Sequence, residues 1–188
     1  MSGMTVSTEP KPITGEELAL LPDVGPCELV LGRILPMSPT GGEHGRIELN
    51  IGAALTAFAR ARNLGKVLVG EVGIFTRRSP DTVRGADVVY ISNERYERLA
   101  SKQGFLDVAP DLVVEVLSPH DSAVGLTQKL REYFAVGVRL VWVADPEARA
   151  VLAYRSLTDV REIRETDRLS GDDVFPGFEI DVAALFEE

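Results

Sequence analysis

An acidic residue in the middle of an apolar run is the first position in this chain that asks for a chemical explanation. The run is Asp111-Leu-Val-Val-Glu115-Val-Leu117, and an ionised Glu115 among Val113, Val114, Val116 and Leu117 is costly to bury without a partner. A cation would compensate it. So would a paired arginine, and a strand that turned Glu115 toward solvent at a sheet edge would remove the cost altogether. Asp87 opens a second β-rich run, Asp87-Val-Val-Tyr-Ile91. Carboxylates on neighbouring strands can offer oxygens to one divalent cation, which bridges to a scissile phosphate and lowers the pKa of its bound water. An Asp before two valines also serves as a plain turn residue, so the argument needs the pair.

Lys129 follows Leu126 by three residues and precedes Tyr133 by four. That spacing puts it at the edge of a helical apolar face, its stem along the core and its ammonium within reach of strand ends. A surface lysine lying along its helix has the same spacing. His44 stands at the start of a helix, close to the Ser38–Gly42 loop, either as a phosphate or water partner or as an ordinary helix-terminus residue. Glu28 falls on an early hairpin strand.

These residues must be positioned by an alternation of helices and strands. Residues 1–13 are expected to be a flexible tail and 14–188 a single domain. Thr14 with Glu17 makes a capping box for a short helix through Leu21. Cys27–Met37 gives two β runs around Gly32. Ile47, Ile51, Leu55 and Phe58 share one face of a helix that ends at Asn63–Gly65. Three short β runs are expected at Val67–Val69, Val72–Thr76 and Asp87–Ile91, with a loop from Arg77 to Ala86, then a short helix at Asn93–Ala100. Asp111–Leu117 is a central strand, Ser122–Val136 a helix closed by Gly137, and Val138–Ala144 another strand. Strand, helix and strand in that compass make a βαβ unit with parallel strands. Weaker β segments follow at Ala150–Arg155, Val160–Arg164 and Phe178–Ile180, and a last turn of helix at Val182–Phe186.

Composition narrows the function classes. With 188 residues, 45% hydrophobic and 26% charged, the chain is ordinary for a globular protein that buries roughly 70% of its unfolded surface. No stretch approaches the ~20 apolar residues that span a bilayer, and the N-terminus lacks a signal-peptide pattern, so a cytoplasmic, membrane-free protein is expected. One cysteine and two histidines cannot make a four-ligand structural zinc site. Any metal is then held mainly by oxygen, which suits Mg²⁺ or Mn²⁺. The net charge of -9 argues against a simple basic nucleic-acid coat. Yet Arg60–Lys102 holds nine basic and five acidic residues, net +4 against -13 for the remainder, which fits either a phosphate-facing surface or chance clustering.

In order along the chain stand Glu28-Leu-Val-x-Gly32, Pro36-Met-Ser-Pro39, His44, Ala86-Asp-Val-Val89, Pro110-Asp-Leu-Val-Val-Glu115-Val-Leu-Ser-Pro119, Lys129-Leu-x-x-Tyr133 and Gly137-Val-x-x-x-Trp142-Val-x-Asp-Pro146. Together they resemble the bacterial family catalogued as putative restriction endonucleases, within the PD-(D/E)XK nuclease superfamily, from Glu17 to Phe186. The resemblance implies an α/β, restriction-endonuclease-like mixed β-sheet flanked by helices, with an additional N-terminal hairpin and C-terminal strands. It implies that Asp87, Glu115 and the Val116 carbonyl bind Mg²⁺ (or Mn²⁺), that Lys129 orients or activates the attacking water, and that Glu28 assists the metal shell. Leu117 occupies the position of the superfamily's usual lysine, and Lys129 on the following helix stands in for it. Ala86 replaces the family's usual proline.

The reaction so implied is phosphodiester hydrolysis of DNA. A homodimer is expected for it, because cutting both strands needs two sites related by a two-fold axis, with the Ala150–Tyr154 and Val160–Arg164 strands as interface. Two rivals share the sequence features: a weak or inactive nuclease fold acting as an accessory binding module, and a hydrolase of small phosphorylated substrates with a closed pocket.

Overall fold

A computed structural model describes residues 11–119 and 121–188. Most of the expected 1–13 tail therefore lies outside the described residues; within them, the Ile13 N–H donates to the Gly32 carbonyl at 3.0 Å. Thr14 and Glu17 form the expected capping box on α1 (Gly15–Leu20).

The hairpin β1 (Cys27–Val30) and β2 (Arg33–Pro36) turns through Leu31 and Gly32, both with positive φ. The long helix α2 (Gly42–Arg62) buries Ile47, Ile51, Leu55 and Ala59 and closes on Asn63 in the left-handed conformation. Then β3 (Gly65–Arg77) and β4 (Thr82–Ser92) form a long antiparallel hairpin. The expected Arg77–Ala86 loop is thus only a turn at 78–81, and its second half is buried strand. Arg84 and Gly85 break the apolar pattern there, but Arg84 is neutralised inside the protein by Glu28 and Glu132. The two runs expected at Val67–Val69 and Val72–Thr76 are one strand interrupted by a bulge at Gly70 and Glu71, whose φ values are 88° and 55°.

The one-turn α3 (Asn93–Tyr96) is shorter than expected. After it, β5 (Leu112–Val116), α4 (Ala123–Val136) and β6 (Leu140–Asp145) make the βαβ unit, with β5 and β6 parallel. Ser122 caps the start of α4 and Gly137, at φ 99°, ends it. Strands β7 (Ala150–Tyr154) and β8 (Val160–Arg164) continue the sheet. A separate ribbon of β9 (Arg168–Ser170) and β10 (Glu179–Asp181) precedes α5 (Val182–Leu185).

The large sheet runs β2-β1-β4-β5-β6-β7-β8, with β3 along the other side of β4. Alternation along β5 sorts its side chains. Leu112, Val114 and Val116 pack with Ile47, Ile51, Leu55, Trp142 and Phe175 on the α2 face. Val113 packs with Val141, Val143, Leu130 and Tyr133 on the α4 face. Burial of each such side chain contributes about 1.5–3 kcal/mol, which fixes the register and places Glu115, two residues after Val113, on the α4 side.

Candidate active site

One edge of β4 is shared between two strands. β1 meets it at Leu29 opposite Val83, and β5 meets it from Val88 to Tyr90. Arg84–Asp87 lies where β1 and β5 part, so the backbone groups of that stretch need partners from side chains. The Gly85 N–H donates to Glu28 Oε1 at 3.1 Å, and the Gly85 carbonyl accepts from Lys129 Nζ at 2.9 Å. The split in the sheet is what draws charged groups inward.

Asp87 and Glu115 flank this gap from β4 and β5, 5% and 8% exposed. The Val116 N–H donates to Asp87 Oδ2 at 2.6 Å. Glu115 accepts from Lys129 Nζ at 2.7 Å on one oxygen and from the Tyr133 hydroxyl at 2.5 Å on the other. Lys129 also lies 3.5 Å from Glu28, whose other oxygen accepts from Arg84 at 2.7 Å. His44 Nε2 is 3.4 Å from Asp87 Oδ2. All of Glu28, His44, Asp87, Glu115, Val116 and Lys129 therefore come together, with Glu28 on the Arg84–Lys129 side and His44 beside Asp87.

Two more acids join them. Glu48, one turn beyond His44 on α2, brings an oxygen within 4.8 Å of ligand atoms of both His44 and Asp87. Its position is held by the Gly70 N–H at 2.8 Å, supplied by the β3 bulge. Glu71, the second bulge residue, lies against Gly85, where an added Cβ would stand 2.7 Å from its carboxylate. The i, i+4 pair His44 and Glu48 is a signal the sequence carries. Glu71 carries none, since a glutamate at positive φ is not foreseeable from its neighbours.

The electrostatics follow from this crowding. Burial pushes the Glu115 carboxyl up to about 7, with the Asp87 charge adding to it and Lys129 pulling the other way. Burial and then the Asp87 charge also raise Glu71, and Glu48 is raised chiefly by burial. Contact with Asp87 raises His44 against the opposing effect of its burial. Burial alone would lower Lys129, but Glu115 and Glu28 hold its ammonium above the ordinary lysine range. Lys129 is thus a fixed cation and hydrogen-bond donor at neutral pH rather than a base. The donor set at Asp87, carboxylate oxygens plus one imidazole nitrogen, could hold a divalent cation. Among the described residues, His44 Nδ1 is buried without a hydrogen-bond partner.

Clefts open on two sides. One of about 280 Å³ is lined by Glu28, Arg84, Glu115 and Lys129, and a larger one of about 670 Å³ by His44, Ser118, Asp121 and Asp145.

Residues 16–183 match the model of a family described as "Uma2: Putative restriction endonuclease". No curated protein matches the chain. Among solved structures, the crystal structure of a putative nuclease belonging to DUF820 from Anabaena variabilis superposes with a TM-score of 0.76 at 20% identity, covering 93% of this chain and 98% of that one. Likeness at that identity establishes a shared fold, a mixed sheet flanked by helices.

Proposed function

Because the chain belongs to the Uma2 family of putative restriction endonucleases, we propose that it is a Mg²⁺-dependent endonuclease hydrolysing phosphodiester bonds of DNA. The observation that supports this most is the meeting of Asp87, Glu115 and Lys129 in the gap between β1 and β5, with Lys129 Nζ 2.7 Å from Glu115. Asp87, His44 and Glu48, together with Glu115 and the Val116 backbone, would hold the ion. When bound, Mg²⁺ would polarise a phosphoryl oxygen and lower the pKa of its water.

The chain's own groups do the positioning. Lys129, kept charged by Glu115 and Glu28, orients the attacking water and steadies the phosphate. Tyr133 fixes Glu115 from the far side, and Glu28 holds both Lys129 and the Gly85 backbone. His44 faces Asp87 as a ligand or water partner. Residues 14–188 act as one nuclease domain, working on DNA in the cytoplasm. Among the described residues no helix is long and apolar enough to cross a membrane.

A homodimer completes the reading, each copy cutting one strand. Strand β8 ends the order of the large sheet, and Val160 on it is 43% exposed, which supports that edge as the contact.

The test is incubation of supercoiled plasmid with the chain in Mg²⁺ and in chelator. Nicking or linearisation that needs the metal and is lost in Asp87→Asn and Lys129→Met is expected. Binding without cleavage under every metal condition would favour the accessory-module alternative.

A further inference from the structure

We infer that a third cavity, bounded by the end of β1, β3, β4 and α4 and lined by Arg77 and Arg131, binds a backbone phosphate of the nucleic-acid substrate. This deepens the nuclease reading and rests on it. The cavity measures about 330 Å³ and is also lined by Thr76, Thr82, Gln128 and Glu132.

Its two arginines are unlike most cations of this chain. Arg78 is matched to Glu16, Arg139 to Asp111 and Asp173, Arg149 to Glu165, Arg155 to Asp172 and Asp173, and Arg168 to Glu179 and Asp181. Arg77 and Arg131 have no such partner among the described residues. Glu132 pairs with neither of them, since Arg84 holds both of its oxygens, at 2.6 and 2.9 Å. The cavity therefore keeps two uncommitted guanidinium groups, which suit phosphate through paired N–H donors. Thr82 Oγ1 accepts from the Leu31 N–H at 3.1 Å, leaving its own proton as a further donor.

A chain of net charge -9 repels a polyanion unless cations are left unpaired where it must lie. The position of this pair is suited to that. Gln128 and Arg131 present one face of α4 to the cavity while Lys129 and Tyr133 turn another toward the centre. One rigid helix thus sets the distance between the scissile phosphate and a neighbouring one. The row Lys129, Glu28, Arg84, Glu132 ties the two places together through ion pairs.

The experiment is fluorescence anisotropy of a labelled duplex oligonucleotide, in chelator so that nothing is cut, across a salt series. The proteins are the unaltered chain, Arg77→Gln/Arg131→Gln, and the control Arg98→Gln/Arg168→Gln, which removes equal charge at other exposed, already paired positions. The first pair should weaken binding roughly tenfold and flatten the salt slope by about one to two, while the control changes little. Thermal midpoints should match, since Arg77 and Arg131 are exposed. Undiminished binding in Arg77→Gln/Arg131→Gln, or an equal loss in the control, overturns the arginine cavity and leaves the nuclease reading standing. Failure of the unaltered chain to bind duplex or single-stranded DNA overturns both.

Discussion

The ammonium of Lys129 donates to Glu115 Oε2 across 2.7 Å, although the two residues lie 14 positions apart on different elements. The contact ties the helix α4 of the βαβ crossover to the end of the central strand, and Tyr133, one turn along, donates to the other carboxylate oxygen at 2.5 Å. Glu115 is therefore held from two directions by groups on one face of α4, in a place where its charge cannot be solvated.

Removing the cation from that arrangement should be costly. Lys129→Met leaves Glu115 buried without its partner, and a loss of about 3 kcal/mol is expected, together with loss of cleavage. The stability loss should shrink as pH falls and Glu115 takes up a proton. Urea denaturation in chelator at two pH values measures it; a loss independent of pH would argue that Glu115 is not the group responding.

The raised Glu115 carboxyl makes a second prediction with a definite sign. Its folded pKa of about 7 exceeds the ordinary glutamate value of 4.5, so the stability contributed by neutral Glu115 is fully present below pH 4.5 and is lost as pH rises through about 7. Over that window the metal-free chain should fall relative to Glu115→Gln by on the order of 3 kcal/mol. Parallel stability curves for the two proteins would contradict the burial argument.

Glu48→Gln should leave the fold unchanged, since an amide oxygen can still accept from the Gly70 N–H. Metal affinity should drop about 10- to 100-fold if its carboxylate belongs to the set around Asp87. Titration of Mn²⁺ followed by electron paramagnetic resonance would read this directly, and unchanged affinity would remove Glu48 from that set.

Much of this arrangement is legible in the sequence, for a physical reason. Glu115 and Lys129 each sit at a fixed place in a strong apolar pattern, and once β5 and α4 form, their faces can meet in only one way. The caps at Thr14, Ser122 and Gly137 are local chemistry and are equally readable. The first half of β4 is not, because Arg84 and Gly85 look like loop residues until Glu28 and Glu132, distant in sequence, neutralise the arginine. The β3 bulge is only half legible: Gly70 marks the break between the two runs, but Glu71 is held at φ 55° by long-range pairing on both sides of it, which its residue type does not announce.

The proposed two-fold assembly makes its own prediction. Sedimentation at micromolar concentration should show a species near twice the 20.4 kDa chain mass, and a charged substitution of Val160 at the exposed β8 edge should dissociate it. A single species of chain mass in the unaltered protein would defeat the dimer and weaken the case for duplex cleavage.

The central claim, that the acids around Asp87 form a divalent metal site, is tested most directly by calorimetric titration of Mg²⁺ and Mn²⁺ into the unaltered chain, Asp87→Asn and Glu115→Gln. One saturable site in the unaltered chain, absent from both variants while their folds stay intact, is the predicted result. Equal cation affinity in all three proteins would contradict it.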